Sequence, residues 1–525
     1  MRGERPQTGR LPGRWLALAA GVVAALGLCI PGGIVAWRAV ERYLAEGPPP
    51  APALLRGDPP LPPAPPPPPP PSPPPPPPKL PCPPTAPPRP PLPRRVDEWL
   101  KAKAITLELP TERRPLPTPL PPGRSEPGFK LRGIKGLLWT PEQYLAEIPV
   151  MAKYKMNFLV NCYGSLFRIG GLSLGAMRNE WWLPLPPDKR EGFERVVQAC
   201  KDHGIQFCFA MNPAFLSQRP LRYGDPQDTE DLWQHFAWMQ GLGVRWFSLA
   251  FDDVPQQTQA KGQAELVNDF LMRLRANDPE AQIIMCPTVY GGRGGPGNTY
   301  LVTLAETLHE DVYVFWTGHT VWSSRVARES AAGYRRTVQR RLIFWDNLCD
   351  DLYAMPMLGP VDHPPDLCEE VDGYIMNPHR ITNELNRLPM LTCADYAYNP
   401  WDYDPARSIE QAVLHLGETP EQRAVLKDLV ETYPGRWFVA GLRAPFRSPV
   451  MKRFYDCLAN DEDLREAVEA LWRVRELAER LREYFPGRFA ATRDALGLHL
   501  KLMQDAYDHR VGCWPEGARP PAIMW

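Results

Sequence analysis

Between Gly47 and Pro93 the chain is dominated by proline, with an unbroken run from Pro65 to Pro71. Each proline removes a backbone donor and fixes φ, so this stretch cannot run through a helix or a sheet and is left with an extended polyproline II path. It separates a short N-terminal segment from everything able to pack into a core. At about 3.1 Å per residue it reaches on the order of 100 Å, the length of a stiff spacer. A ligand for proline-recognition domains is the other use of such a run, but a spacer accounts for its length and position without a partner.

Ahead of the spacer, Arg2, Arg5, Arg10 and Arg14 precede an apolar run from Trp15 to Trp37 that contains no formal charge. Such a run is long enough to cross a bilayer as one helix. The Leu26-Gly27-Leu28-Cys29 context lacks the small residue that a lipoprotein site needs before its cysteine, and the run is longer than the apolar part of a cleaved signal peptide. The sequence therefore predicts a basic cytoplasmic tail (1–14), a signal anchor crossing the cell membrane once (15–37) and a proline-rich linker (47–93), with the remainder on the extracytoplasmic side. Arg38 and Arg42 weaken that charge asymmetry.

With 60 Lys and Arg against 60 Asp and Glu, the chain has no global field for a polyanion, and nucleic acid is excluded as a first expectation. Eleven cysteines without C-x-x-C spacing indicate neither a zinc site nor a dense disulfide framework. His203, His319 and His379 lack mutual ligand spacing. No metal or other cofactor is implied.

After Arg95, short apolar runs alternate with longer amphipathic stretches, the pattern of a parallel β/α architecture. Strands are predicted at Gly133 to Leu138, Phe158 to Cys162, Ile205 to Met211, Trp246 to Phe251, Gln282 to Cys286, Val312 to Trp316, Leu342 to Trp345 and Tyr374 to Met376. Eight strands suit a closed (β/α)8 TIM-type barrel, placed at 125–400; a doubly wound open sheet is the alternative, but no G-x-G-x-x-G follows an early strand. Helices are predicted after an N-cap-like Thr140 with Pro141 behind it, at Glu194 to His203 and at Asp231 to Leu242. Beyond Trp401, Thr419 to Tyr433, Asp461 to Tyr484 and Thr492 to Tyr507 carry helical periodicity, giving a helical C-terminal region over 401–525.

The fourth predicted strand runs directly into Asp252-Asp253, two carboxylates at the strand end where barrels place their catalytic groups. Like-charge coupling between partly buried neighbours disfavours double ionisation, so one of them can keep a proton as a general acid. Two solvated loop aspartates, or a metal site, remain open on this dipeptide alone. Other predicted strand ends carry Tyr290, Trp316, Trp345, Asn347 with Asp351, and Asn377. Donors, acceptors and flat aromatic faces of this kind suit a sugar.

The stretches Phe251-Asp252-Asp253-Val254, Cys286-Pro287-Thr288-Val289-Tyr290, Phe315-Trp316-Thr317-Gly318, Trp345-Asp346-Asn347, Leu358-Gly359-Pro360 and Met376-Asn377-Pro378 occur in one colinear order within Gly133 to Tyr398. In this the chain resembles glycoside hydrolase family 84, the O-GlcNAcase and bacterial β-N-acetylglucosaminidase family. The resemblance implies a (β/α)8 barrel followed by helices, an N-acetylhexosamine-containing glycan as partner, and a retaining mechanism in which the substrate's 2-acetamido oxygen is the nucleophile. That chemistry departs from the two-carboxylate spacing rule of other retaining enzymes. By position, Asp252 is implied to orient the acetamido N–H and Asp253 to protonate the leaving oxygen and then activate water. Tyr290 is implied to lie against the acetamido group, Trp345 to form a wall, Asn347, Asp351 and Asn377 to hold sugar oxygens, and Gly136 to allow close backbone approach.

Departures from the family pattern bear on recognition. Gly136-Leu137-Leu138-Trp139 stands where the family has Gly-Phe-Tyr-Gly, and Asn212-Pro213-Ala214 replaces Ser-Pro-Gly. Asn161-Cys162-Tyr163-Gly164 lacks the lysine that follows Tyr-Ala-Pro on the second strand, and the Asn347 to Asp351 spacing is about one residue short. The leading expectation is a membrane-tethered β-N-acetylglucosaminidase. A non-catalytic glycan-binding protein on the same scaffold, and a protein whose proline-rich stalk is the functional part, are the alternatives.

Overall fold

The computed structural model describes residues 105–167, 178–254, 259–321, 323, 325–348, 357–379, 383–434, 448–459 and 464–511. The expected tail, anchor and linker (1–14, 15–37, 47–93) and Asp351 lie outside the described residues. Among those described, no helix is long and apolar enough to cross a membrane.

Eight strands form the centre: β1 (Leu131–Gly136), β2 (Phe158–Asn161), β3 (Gln206–Met211), β4 (Trp246–Ala250), β5 (Gln282–Cys286), β6 (Tyr313–Trp316), β7 (Arg341–Asp346) and β8 (Gly373–Met376). Each pairs in parallel with the next, and β8 pairs with β1, closing the barrel. Apart from β1, which carries Arg132 and Lys135, the strands are mostly apolar because both faces are buried, one inside the barrel and one beneath the helices. All eight match the sequence expectation, with ends shifted by a residue or two.

Helices α1 (Pro141–Lys153), α2 (Pro187–Asp202), α3 (Pro226–Gly241), α4 (Ala260–Asn277), α5 (Thr299–Thr307), α6 (Arg328–Val338) and α7 (Asn383–Tyr398) follow strands β1 to β6 and β8 in turn. The start of α1 shows why the chain turns helical there. Thr140 accepts from the Gln143 N–H, the Gln143 side chain accepts from the Thr140 N–H, and Pro141 occupies the first turn, where its missing donor is not needed. Asp225 caps α3 in the same way.

Period-2 alternation sorts the strand residues into two layers. Phe158, Val160, Cys208, Ala210, Ala250, Ile284, Cys286, Tyr313, Phe315, Ile343, Trp345 and Ile375 pack together inside the barrel. Trp246 stands edge-on to Phe158 at 5.1 Å and tilted on Tyr313 at 5.2 Å, plugging the N-terminal end. Toward the other end the interior residues become small, as at Ala210, Ser248 and Ala250.

The C-terminal region is helical, with α8 (Pro405–Leu416), α9 (Pro420–Thr432), α10 (Pro449–Ala459), α11 (Leu464–Tyr484) and α12 (Ala490–Arg510). It is tied to the barrel by Leu358 N–H donating to the Tyr433 carbonyl at 2.9 Å, by Arg488 paired with Glu384 at 3.2 Å, and by Tyr154 against His415.

Candidate active site

The interior alternation continues past the strand ends, and it decides which side chains meet. On β4 the inward series is Trp246, Ser248, Ala250 and then Asp252. The same count carries β1 to Lys135, β3 to Asn212, β7 to Trp345 and Asn347, and β8 to Asn377. All six residues are buried, and they come from five different strands.

Asp252 is a buried carboxylate with two donors. Tyr163, from the turn after β2, donates through Oη to Oδ2 at 2.7 Å, and Asn212 donates through Nδ2 to Oδ1 at 3.0 Å. Asn212 is itself fixed: its Oδ1 accepts from the Ala214 and Phe215 N–H groups, and Asn179 Nδ2 donates to the Asn212 carbonyl. Burial and the Asp252 and Asp253 charges hold the Tyr163 phenol well above its usual range, so it remains a donor. The supports of Asp252 thus come from two of the stretches that depart from the family pattern.

Asp253 takes a left-handed backbone (φ 56°), uncommon for a non-glycine residue and a recurrent feature of functional turns. Its carboxyl meets Tyr290, which donates through Oη to Oδ1 at 2.7 Å. The Asp253 side chain reaches solvent at the barrel mouth, yet protein surrounds it on its other sides. That burial, and next the Asp252 charge, push its carboxyl up to about 6, against the opposing Tyr290 hydrogen bond and Lys135 charge. One acid is therefore locked among donors while its neighbour is poised to exchange a proton near neutrality.

Trp345 lies in the interior, edge-on to Phe315 at 5.7 Å. Asn377 Nδ2 donates to Asn347 Oδ1 at 3.0 Å, and Asn347 Nδ2 donates to the Val321 carbonyl at 2.7 Å, so the two amides form one polar ledge beside Trp345. Between them on the chain, Asp346 faces outward, accepting from Tyr374 Oη at 2.6 Å and pairing with His363 Nε2 at 2.9 Å. This buried clamp fixes the end of β7 from behind.

Two expected residues are placed elsewhere. Trp316 is on the outward series of β6, fully buried between sheet and helices against Tyr334 and Phe344 at 5.8 and 5.7 Å, with its indole N–H on the Gly292 carbonyl. It is a packing residue remote from the ledge, because a strand end presents alternate residues to opposite faces. Gly136 also faces outward, where a Cβ would come within 2.6 Å of Trp139 and 2.7 Å of Tyr144. Ring packing against α1 therefore requires its glycine.

Lys135, Tyr163 and Asn212 were not anticipated as site residues. The Lys135 ammonium is 3.5 Å from the Trp345 ring centroid and 4.7 Å from that of Tyr163. Cys286 lines the same interior, but burial raises its thiol well above the usual range, so no thiolate nucleophile is offered. Among the described residues no group of three His, Cys, Asp or Glu side chains is placed to hold a metal ion. A cavity of about 700 Å³ lies at the opposite, N-terminal end of the strands, lined by Lys130, Arg245, Arg275 and Arg341 with Glu280, Asp311 and Asp372. It lies beyond the Trp246 plug and belongs to the barrel's base, not to the acid pair.

Comparison with known proteins gives the context for this arrangement. A family model described as beta-N-acetylglucosaminidase matches residues 132–431, more than half of the chain. The solved structure of CpGH84B is similar with a TM-score of 0.56 and 23% identity, over 74% of this chain and 68% of that one. A mutant O-GlcNAc hydrolase of Thermobaculum terrenum gives a TM-score of 0.59 and 22% identity, over 73% and 84%. At such identity these two structures attest the fold.

Proposed function

The chain belongs to the beta-N-acetylglucosaminidase family of glycosidases, and from that premise we propose that it hydrolyses β-N-acetylglucosaminide linkages with retention, using the substrate's acetamido oxygen as nucleophile. The observation that carries the reading is the division of labour between adjacent acids, Asp252 held by Tyr163 and Asn212, and Asp253 turned to the mouth with its carboxyl near 6.

In this mechanism the Asp252 side chain accepts the acetamido N–H. As the acetamido oxygen closes on the anomeric carbon, positive charge develops at the nitrogen, and the fixed carboxylate stabilises it. Asp253 gives its proton to the departing glycosidic oxygen. Once ionised, it takes a proton from the water that opens the oxazoline, restoring the starting state. Trp345 supplies an apolar wall, and Asn347 and Asn377, with Asp351, hold sugar oxygens. The basic tail, apolar run and proline-rich stretch support a barrel held outside the cytoplasmic membrane on a spacer.

Release of 4-methylumbelliferone from its N-acetyl-β-glucosaminide tests the reading. Turnover that Asp252→Asn and Asp253→Asn each abolish or sharply reduce is expected. Sugar binding without turnover in the unaltered protein would instead support a non-catalytic glycan-binding protein, the reading favoured by the rebuilt loop at Gly136 to Trp139.

A further inference from the structure

Lys135 is a lysine inside a barrel, buried to 3% exposure. An ammonium has three donors and no acceptor, and removing it from water is costly unless those donors are met. Here it faces two aromatic rings, Trp345 and Tyr163. Cation–π attraction and the field of the nearby acids offset part of that cost. Among the described residues it forms no ion pair and finds no hydrogen-bond acceptor. A donor set left unfilled next to Trp345 and the acid pair is suited to a ligand rich in oxygen.

We propose that Lys135 is a substrate-contacting residue whose ammonium, resting on Trp345 and Tyr163, donates to an oxygen of the bound N-acylated sugar. The inference rests on the reading of the cleft as an N-acetylhexosaminide site. It supplies from the first strand the cation that the second strand lacks at Gly164. The acceptor is either a ring hydroxyl or the acyl carbonyl, both neutral oxygens. The titratable groups that face or act on this ammonium are Asp253 after β4, Tyr163 after β2 and Cys286 on β5. From β7 it meets the neutral Trp345.

The test compares the unaltered protein with Lys135→Met, and with Lys135→Gln should the first not fold, on 4-methylumbelliferyl N-acetyl-β-glucosaminide across pH. Loss of a charged hydrogen bond predicts a fall in kcat/KM of ~10- to ~100-fold, carried mainly by KM. The alkaline limb should move upward, because the Lys135 charge pulls the Asp253 carboxyl down. The thermal midpoint should hold or rise, since an unfilled buried charge is removed; a merely structural lysine would lower it and leave KM alone. Substrates deoxygenated at positions 3, 4 and 6 locate the acceptor: a Lys135→Met penalty that vanishes with one of them identifies that hydroxyl, and a penalty that persists with all identifies the acyl carbonyl. Unchanged KM and pH profile in Lys135→Met, with the unaltered protein active, overturns this inference alone. If the unaltered protein binds 4-methylumbelliferyl N-acetyl-β-glucosaminide by calorimetry without cleaving it, and Lys135→Met loses that binding, the catalytic reading falls and Lys135 stands.

Discussion

The sharpest test of the acid assignment is Asp253→Asn, because the structure supplies both a magnitude and a control. Asparagine tolerates the left-handed backbone that Asp253 adopts (φ 56°), so the fold should survive. With the carboxyl at about 6, the protonated fraction is ~0.9 at pH 5 and ~0.1 at pH 7, by the usual titration relation. Wild-type kcat/KM should therefore fall about tenfold per pH unit well above 6. In Asp253→Asn that alkaline limb should disappear, and for a glycoside with a poor leaving group the rate should drop ~100- to ~10,000-fold, the range for a positioned general acid. A dinitrophenyl glycoside needs no protonation of its leaving group, so its release should be affected far less. The assay is kcat/KM against pH for leaving groups of graded acidity. An equal loss for both extremes, or an alkaline limb that survives the substitution, would refute the assignment of the proton to Asp253.

Three further outcomes follow from the same geometry. Tyr163→Phe removes one of two side-chain donors to Asp252 while keeping the ring, so kcat/KM should fall ~10- to ~100-fold, the effect of one charge-assisted hydrogen bond, with the thermal midpoint nearly unchanged. Trp316→Leu should cost about 2–4 kcal/mol in urea unfolding, as large-to-small core changes do, yet leave kcat/KM of the folded protein intact; a selective loss of activity would return Trp316 to the site. Asp346→Ala strands Tyr374 Oη and His363, so a destabilisation of about 3 kcal/mol is expected, together with a higher KM as the Trp345 and Asn347 flanks lose their anchor.

The barrel was legible because each strand is a short apolar run bounded by turn residues, and because proline and capping side chains mark helix starts such as Thr140-Pro141. The acid pair was legible for a similar reason: two aspartates directly after an apolar run have no packing role to play. What the sequence reading lacked was the phase of each strand. Trp316 and Trp345 look alike on the page, each an aromatic at the end of an apolar run, but Phe315 occupies the inward position on β6, whereas on β7 Trp345 does. Counting in twos from a known interior residue would have rejected Trp316 and raised Lys135, two positions from Gly133 and four from Leu131. Helices α4, α5, α6, α7, α8 and α10 were not anticipated: α5 and α6 are short, and α7 carries Pro389 inside it, which reads as a break. Tyr163 and Asn212 were hidden differently: each was visible as a departure from a pattern, but that they donate to Asp252 depends on where the turns after β2 and β3 fold back.

The electrostatics explain how such departures coexist with an intact acid pair. A cation acts on a neighbouring carboxyl through a Coulomb term that changes slowly: with an effective dielectric of ~20, the interaction at 4 Å is ~4 kcal/mol and at 6 Å still ~3 kcal/mol. A hydrogen bond to a sugar oxygen, by contrast, is gone once the separation exceeds ~3.5 Å. A lysine carried on β1 can therefore hold down the Asp253 carboxyl as one on β2 would, without preserving which sugar oxygen it meets. Under the proposed mechanism the same holds for Asp252: any donors that fix its carboxylate would serve the reaction, here Tyr163 and Asn212, but each brings its own shape to the site wall. Selection on the bond-breaking step thus constrains charge and leaves position loose, while selection on the glycan constrains position. Changes in the loops after β1, β2, β3 and β7, with Asp252 and Asp253 kept, are what a shift in the recognised glycan under unchanged chemistry would produce.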